Sequence, residues 1–123
     1  MDIIISNSSE APIYRQISEQ IKEEILKGGL KENDALPSIR NLARDLRVSV
    51  ITTKKAYEEL EKDGFINSVA GKGCFVAKQG SGMIKEAGLR QVEKQLSKAV
   101  DTAAIYGITE DEVLEILRLL YDN

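Results

Sequence analysis

The chain has 123 residues, of which 42% are hydrophobic and 30% are charged, and its formal net charge is −3. This size allows one ordinary domain with a small appendage, and the composition is typical of a globular protein rather than a disordered one. No apolar run approaches the roughly 20 residues that cross a bilayer. The first residues lack the basic start and long apolar stretch of a signal peptide, so we expect no membrane contact and a cytoplasmic location.

Several residue types that carry catalysis are missing or scarce. The sequence has no histidine and a single cysteine, Cys74, which leaves neither the commonest general base nor a thiolate cluster for a metal. Its glycine-rich segment AGKGCFV does not have the GxxxxGK[ST] spacing of a phosphate-binding loop. We therefore expect no metal, no cofactor and no enzymatic activity. Catalysis by a lone pair of carboxylates is the alternative, and it ranks last.

The charge is unevenly distributed along the chain. Residues 1–78 carry 12 basic and 12 acidic side chains, whereas residues 79–123 carry 5 basic and 8 acidic ones. Residues 36–57 hold five basic groups against one acid, Asp45, which is a local charge of +4. Because exposed charges more than about 10 Å apart are screened, a polyanion responds to this local patch rather than to the total. The acidic total therefore does not exclude a nucleic-acid partner.

The first predicted helix follows Pro12, whose fixed φ suits a first helical turn. Apolar residues then recur at a spacing of four, and Gly28-Gly29 supplies a C-terminal stop. This periodicity predicts an amphipathic helix. Its core-facing stripe consists of Ile13, Ile17, Ile21 and Ile25, widened by Tyr14 and Leu26.

Two shorter helices follow, and each begins after a serine that can cap its N-terminus. Ser38 opens a helix of about ten residues, and Ser49 opens a second helix that runs to Asp63 and is ended by Gly64. Two helices joined by a turn of three to four residues, the second opening with small hydroxylated residues, are typical of a helix-turn-helix. The residues expected to face the core are Ile39, Leu42, Ala43, Leu46, Ala56, Tyr57 and Leu60.

Two short runs rich in β-branched and aromatic residues, FINSV and CFVAK, come next. The segment Ala70-Gly71-Lys72-Gly73 separates them and has the composition of a hairpin tip. A hairpin placed directly after a helix-turn-helix is a wing, so the sequence predicts a winged helix-turn-helix.

The tail begins at Gln79-Gly80-Ser81-Gly82, a break in composition that we interpret as a linker. Apolar residues then repeat with heptad-like spacing on a predicted helix of about 25 residues that ends at Gly107. Thr109 and Glu112 form the T-x-x-E pattern of a capping box, which opens a last helix. We expect these two helices to pair two copies of the chain. The alternative is that they form a hairpin that closes on itself within one chain. The expected dimerisation residues are Leu89, Val92, Leu96, Ala99, Ala103, Val113, Ile116, Leu117 and Leu120.

The segment LPSIRNLARDLRVSVITTKKAYEELEKDGFINSVAGKGCFV resembles the DNA-binding domain of the GntR family of bacterial regulators, and the resemblance covers roughly residues 10–78. The family pattern begins L-P-S-x-R-x-L-A-x-x-L-x-V-S and ends G-x-G-T-F-V. Asn33 replaces the usual glycine before the LPS motif, and Cys74 replaces the usual threonine. The short tail is similar to that of the YtrA-like members, which implies a dimerisation module without a large effector pocket.

The resemblance implies a mainly α-helical fold with a small β-wing. A winged helix-turn-helix domain at residues 1–78 would precede a linker and a two-helix dimerisation module at residues 79–123. The implied function is a transcription regulator, in our interpretation a repressor, that binds double-stranded operator DNA as a homodimer. Recognition helices about 34 Å apart predict an inverted-repeat operator. A protein-interaction adaptor on the same fold is the alternative, and both activation and a small effector stay open.

The expected DNA contacts begin with Arg40, for which the family resemblance implies a contact such as a guanidinium bound to guanine. A surface salt bridge of Arg40 with Asp34 or Asp45 is the alternative. Hydroxyls and amides at the start of the second helix suit phosphate, as do nearby lysines. The complete predicted set is Ser38, Arg40, Ser49, Val50, Ile51, Thr52, Thr53, Lys54, Gly71 and Lys72.

Val50 and Ile51 are the most informative residues of this set, because exposed β-branched side chains at a helix start suit the methyl groups of thymine. The alternative is that Ile51 packs inward, since helical phase at a boundary is uncertain by a residue or two. Lys55 binds phosphate or lies on a solvated face. Gly71 lets the wing backbone approach the minor groove or serves the turn alone. Cys74 is expected to pack as a small strand residue rather than to sense redox state.

Overall fold

The computed structural model describes residues 1–122, except that the side chains of residues 81–83 lie outside the described part, as does residue 123. The chain separates into two compact units, with the division after Gly80. The elements are mainly helical with one small antiparallel sheet, which confirms the predicted fold class. Among the described residues, no helix combines the length and apolar character that a membrane crossing requires.

Helix α1 spans Ile13–Lys27 and supplies much of the core of the first unit. Ile17 and Ile21 are fully buried, as the spacing of four predicts. Pro12 occupies the N-cap position, and Gly28 ends the helix with a positive φ of 83° that an L side chain rarely adopts. The amide of the next residue, Gly29, donates to the carbonyl of Glu24 and completes the stop.

Helices α2 (Ile39–Leu46) and α3 (Val50–Lys62) form the predicted helix-turn-helix. The Ser38 hydroxyl accepts a hydrogen bond from the Asn41 amide at 3.1 Å, and the Ser49 hydroxyl accepts one from the Thr52 amide at 3.0 Å. Both predicted N-caps are therefore present. Helix α2 has eight residues rather than about ten, because Arg47 adopts a left-handed conformation with φ 57° and turns the chain toward α3.

Strands β1 (Ile66–Val69) and β2 (Gly73–Val76) form the predicted wing. They pair antiparallel, from Ile66 opposite Val76 to Val69 opposite Gly73. The turn between them is closed by the Lys72 amide, which donates to the Val69 carbonyl at 2.9 Å. The wing begins one residue later than the FINSV run suggests, because the Phe65 amide still donates to the Leu60 carbonyl at the end of α3.

The other edge of β2 is also hydrogen-bonded, which the sequence did not predict. The Leu36 amide donates to the Cys74 carbonyl, and the Val76 amide donates to the Asp34 carbonyl, each at 2.9 Å. Ala35 lies opposite Phe75 in a β-bridge. The segment before α2 is thereby attached to the wing, so the wing and the helix-turn-helix share one framework.

Residues before α1 are held by side chains of that helix. The Gln20 carboxamide accepts a hydrogen bond from the Ile4 amide and donates to the Ile4 carbonyl, as a neighbouring strand would. This attachment aligns an extended segment along the helix, with Ile3 and Ile5 packed against the core. Backbone groups that loops leave unpaired are satisfied here by an amide side chain.

The second unit consists of helix α4 (Ser81–Ile105) and helix α5 (Glu110–Tyr121). Helix α4 has the predicted 25 residues but begins inside the predicted linker, at its third residue. Gly107, with φ 69°, lies in the turn that follows the helix. Thr109 and Glu112 form a complete capping box at the start of α5, as predicted.

Candidate nucleic-acid interface

The start of α3 presents backbone amides and small hydroxyls to solvent. The Ser49 hydroxyl accepts from the Thr52 amide and donates to the Thr52 hydroxyl at 2.7 Å, so one serine orients the whole first turn. The N-terminus of a helix carries a partial positive charge, and its free amides suit anionic ligands. This end of α3 therefore fits a phosphate group of a nucleic acid.

Val50 and Ile51 project from the same turn. Val50 is 47% exposed and Ile51 is 80% exposed, so the alternative that Ile51 packs inward is wrong. Full burial of such a side chain stabilises a protein by about 1.5–3 kcal/mol, a gain that this fold leaves unused. The two residues therefore form an apolar tip at the start of a capped helix, which suits contact with the methyl groups of thymine.

Thr53 does not belong to this surface. Its side chain is 0% exposed, and its hydroxyl donates to the Ser49 carbonyl at 3.2 Å, one turn back along the helix. The prediction that Thr53 contacts DNA is therefore wrong on the structure. The reason is helical phase: Thr53 lies three and four residues before Ala56 and Tyr57, which are buried, and shares their inward face.

Lys54 and Lys55 of α3 each have a partner within the protein. The Lys54 ammonium lies 3.9 Å from the Glu58 carboxylate on the same exposed face. The Lys55 ammonium lies 4.0 Å from the centroid of the Tyr14 ring of α1, a cation–π contact. Lys55 is exposed, as its solvated-face alternative expects, and the contact with Tyr14 was not predicted. Its phosphate contact stays a prediction.

Arg40 is exposed near the N-terminus of α2 and has no carboxylate within ion-pair distance among the residues that the structure describes. The proposed salt bridge to Asp34 or Asp45 is not formed. The Asp34 carboxylate instead accepts a hydrogen bond from the Lys31 amide at 2.8 Å. The guanidinium of Arg40 is therefore available to an external ligand.

A cleft of about 400 Å³ lies between the start of α2 and the wing. Ser38 and Arg40 line one side of it, and Lys72 lines the other. Tyr57 lies beside it and donates its hydroxyl hydrogen to the Pro37 carbonyl at 2.7 Å, which fixes the chain where it enters α2. Burial raises the pKa of Tyr57, so this phenol stays a proton donor. The structure thereby brings together basic residues that lie far apart in sequence.

The wing tip has the geometry that would let its backbone come close to a minor groove. Gly71 has φ 74°, and a methyl group placed on it would meet no neighbouring atom, so the tip is open to solvent. Behind the tip, Cys74 is half-buried on β2, with its sulfur 3.4 Å from the Ser68 hydroxyl of β1. The thiol occupies a strand position, as expected for a small packing residue.

A hydrogen bond within α2, between Arg44 and Asn41, was not predicted from the sequence. The Arg44 guanidinium donates a hydrogen bond to the Asn41 side-chain oxygen at 2.7 Å, one turn back on α2. The i, i+3 spacing is visible in the sequence, but it becomes informative only once both residues are placed on the exposed side of the helix.

The predicted dimerisation residues fall into two groups in the second unit. Leu89, Val92 and Leu96 of α4 are exposed, together with Val100, which the sequence analysis omitted. These four residues are called the α4 seam below, and a shallow groove runs along them. The remaining residues differ in burial: Ala103 is buried, Val113 and Leu117 are half-buried, and Ala99, Ile116 and Leu120 are exposed.

The exposure of these residues bears on the alternative of a hairpin closed within one chain. Such a hairpin would bury the α4 seam and the apolar face of α5 against each other. The large apolar side chains of the seam are instead solvent-exposed in the single chain, as are Ile116 and Leu120. The second unit thus presents an extended apolar surface, which is characteristic of a protein interface.

Known proteins resemble this chain over nearly its whole length. The family model "Bacterial regulatory proteins, gntR family" matches residues 13–76. The transcriptional repressor YtrA of Bacillus subtilis is 34% identical over 94% of this chain and 89% of its own. The structure of YtrA from Sulfolobus acidocaldarius, a GntR-family transcription factor, is 37% identical, with a TM-score of 0.57 over 98% of this chain and 97% of that one.

A third similar structure, the DNA-binding domain of AraR in complex with operator ORX1, contains DNA. It is 29% identical, with a TM-score of 0.56, and the match covers 63% of this chain and 96% of that domain. The family match spans α1 to β2, the same residues that present the capped α3, the open arginine and the wing. The chain belongs to the GntR family of bacterial regulatory proteins and is a DNA-binding transcription regulator of the short-tailed, YtrA-like kind.

Proposed function

We propose that this protein is a homodimeric repressor that binds an inverted-repeat operator in the cytoplasm, without a cofactor and without enzymatic activity. Residues 1–78 bind the DNA, and residues 79–123 join the two copies. The observation that carries the proposal is the exposed pair Val50 and Ile51 on a capped helix start. A free arginine and a glycine-tipped wing lie in the same unit.

In this proposal α3 enters the major groove with its N-terminal turn foremost. Val50 and Ile51 contact thymine methyl groups, and Arg40 binds the acceptor atoms of a guanine. Ser49 and Thr52 bind phosphate through hydroxyls and backbone amides, which sets the register of the helix on the duplex. The remaining contacts come from Ser38, Lys54, Gly71 and Lys72.

In this proposal, dimerisation raises the affinity for the operator, because one dimer binds two half-sites. A single winged domain makes few contacts, whereas two linked domains convert the second binding event into an intramolecular one. The α4 seam supports the second copy as its occupant, because Leu89, Val92 and Leu96 have heptad-like spacing and Val100 extends the same exposed apolar face. A symmetric dimer of this kind reads two copies of one half-site in opposite orientation.

Repression is supported by what is known of the relatives. The similar protein of B. subtilis is named a transcriptional repressor, and AraR binds an operator. A repressor acts by occupying the promoter, so it requires tight binding and no catalytic group. Activation is separable from repression by the sign of the change in a reporter gene when the protein is removed.

The proposal is tested by selecting bound duplexes from a random pool and then measuring fluorescence anisotropy on the selected site. The Arg40→Ala variant is expected to lose about 1–3 kcal/mol per half-site and to accept other bases at one position. The Ile51→Ala variant is expected to weaken discrimination of thymine from cytosine at a neighbouring position, because it removes an apolar contact with the methyl group.

A matched control is Lys62→Ala, which removes one positive charge at the far end of α3. It is expected to leave base preference unchanged. A selection that returns no enriched sequence, or an Arg40→Ala variant with full affinity and preference, contradicts the proposal.

A further inference from the structure

The basic residues of the helix-turn-helix differ in what they contact within the protein. Lys54 pairs with Glu58, and Lys55 lies over the Tyr14 ring. Three exposed arginines of α2 and its C-cap, in contrast, have no carboxylate within ion-pair distance among the residues that the structure describes. These residues, called the arginine row below, are Arg40, Arg44 and Arg47.

Arg40 and Arg44 of the arginine row lie on one side of α2, and Arg47 follows at its C-cap. Arg40 and Arg44 are one helical turn apart, which is a rise of about 6 Å at 1.5 Å per residue. The one acid of this helix, Asp45, is turned away from Arg44 by about 100° around the axis. Like charges at this spacing disfavour the free helix, and a polyanion lying along the row removes that repulsion.

Arg44 is the member of the row that is already oriented. Its guanidinium donates a 2.7 Å hydrogen bond to the Asn41 side-chain oxygen, so one edge of the group is fixed and its other donors stay open. The Asn41 amide nitrogen of the backbone, in turn, is held by the Ser38 hydroxyl at the N-cap. The side chain that positions Arg44 thus stands in the capped first turn of α2.

We infer that Arg44 binds a phosphate of the DNA backbone and that Asn41 positions it for this contact. The inference rests on the proposed DNA binding and extends it to two residues outside the predicted set. In a helix-turn-helix the first helix crosses the sugar–phosphate backbone, which is where Arg44, one turn beyond Arg40, would lie. A guanidinium matches phosphate with two parallel donors, and pre-orientation lowers the entropy lost on binding.

The test is the salt dependence of binding to a selected operator duplex, measured by fluorescence anisotropy with the full-length protein. Each phosphate that a protein neutralises contributes about 0.9 to the slope of log affinity against log salt. The Arg44→Ala variant is expected to reduce the magnitude of that slope by about 0.9 per chain bound and to leave base preference unchanged. The control Lys62→Ala also removes one positive charge, from an exposed site at the C-terminal end of α3. It is expected to keep the slope of the unaltered protein.

The Asn41→Ala variant separates a positioning role from a charge effect. It keeps every charge and the backbone amide that Ser38 caps, so it is expected to weaken binding severalfold while the slope stays that of the unaltered protein. Circular dichroism confirms that each variant is folded. An Arg44→Ala slope equal to that of Lys62→Ala overturns the phosphate contact, and an Asn41→Ala affinity equal to that of the unaltered protein overturns the positioning role. If the unaltered protein binds no duplex, the proposed function itself fails.

Discussion

The two units of the chain differ in the burial of their apolar side chains. In the first unit Ile17, Ile21 and Leu60 are buried almost completely, and helices, wing and N-terminal segment share one core. In the second unit Ala103 is the one apolar residue that is buried among the described side chains, although the α4 seam and α5 are rich in leucine and isoleucine.

On the proposed function, this difference separates a unit whose core is complete in one chain from a unit whose apolar faces are covered by a second chain. Two helices that leave their apolar faces in water gain little from burial, and their stability depends on a partner that covers those faces. When folding of a unit is coupled to association, its stability rises with protein concentration. The first unit has no such requirement, so the two units are expected to respond differently to dilution and to mutation.

The largest expected effect comes from placing a charge in the α4 seam. A Leu96→Glu variant would bury an unpaired carboxylate at the proposed dimer interface, so we expect it to be monomeric. Loss of the second half-site is expected to lower operator affinity by about 10²–10⁴-fold, while the winged unit stays folded. Sedimentation equilibrium and anisotropy on the same samples measure the two changes together.

The matched control is Lys94→Gln, which changes the net charge by the same amount on the opposite side of α4. It is expected to remain dimeric. A Leu96→Glu variant that still sediments as a dimer would show that another surface joins the copies, and the contrast between the two units would then have a different cause.

Periodic features of both units were readable from the sequence. The isoleucines of α1 and the serine caps of α2 and α3 are local signals, because each depends only on spacing and on residue type. The capping box of α5 is a signal of the same kind. The exposed pair at the start of α3 was predicted as well, although the alternative of an inward Ile51 had to be excluded by the structure.

Two of the features that were missed depend on contacts between residues far apart in sequence. The pairing of residues 33–36 with β2 joins segments about 40 positions apart and shows no alternation of apolar and polar residues. Thr53 was misplaced because one residue of helical phase separates an exposed side chain from a buried one. The contact of Lys55 was not predicted either, because its partner Tyr14 belongs to another helix. Tertiary contacts decide the strand pairing and the placement of Lys55, whereas the placement of Thr53 depends on helical phase.

An effect of intermediate size is expected on the free energy of unfolding when a tyrosine hydroxyl is removed. Removing a buried hydroxyl of the first unit is expected to cost more than removing an exposed hydroxyl of the second. The Tyr57→Phe variant removes the hydrogen bond to the Pro37 carbonyl and is expected to cost about 0.5–1.5 kcal/mol of unfolding free energy. The same change at Tyr106, which is exposed, is expected to lie within about 0.5 kcal/mol of zero. Urea denaturation of both variants measures the difference. Equal stabilities would contradict the anchoring role assigned to Tyr57.

The smallest expected effect is a pH dependence confined to the second unit. Hydrogen bonds from the Thr109 backbone amide, and then from its hydroxyl, lower the pKa of Glu112 below its usual value of 4.5. A carboxyl whose pKa is lowered by folding contributes stability above its unfolded pKa and loses it as the pH falls through the folded value. Helix α5 is therefore expected to fray slightly more at pH 3 than at pH 6.

The Glu112→Gln variant retains the side-chain oxygen that accepts these bonds but does not titrate. Subtracting the stability that this variant loses in acid from the stability that the unaltered chain loses isolates the contribution of Glu112. Amide hydrogen exchange in the first turn of α5 at both pH values is the measurement. Identical pH dependence in the two proteins would mean that the capping box does not depend on the charge of Glu112.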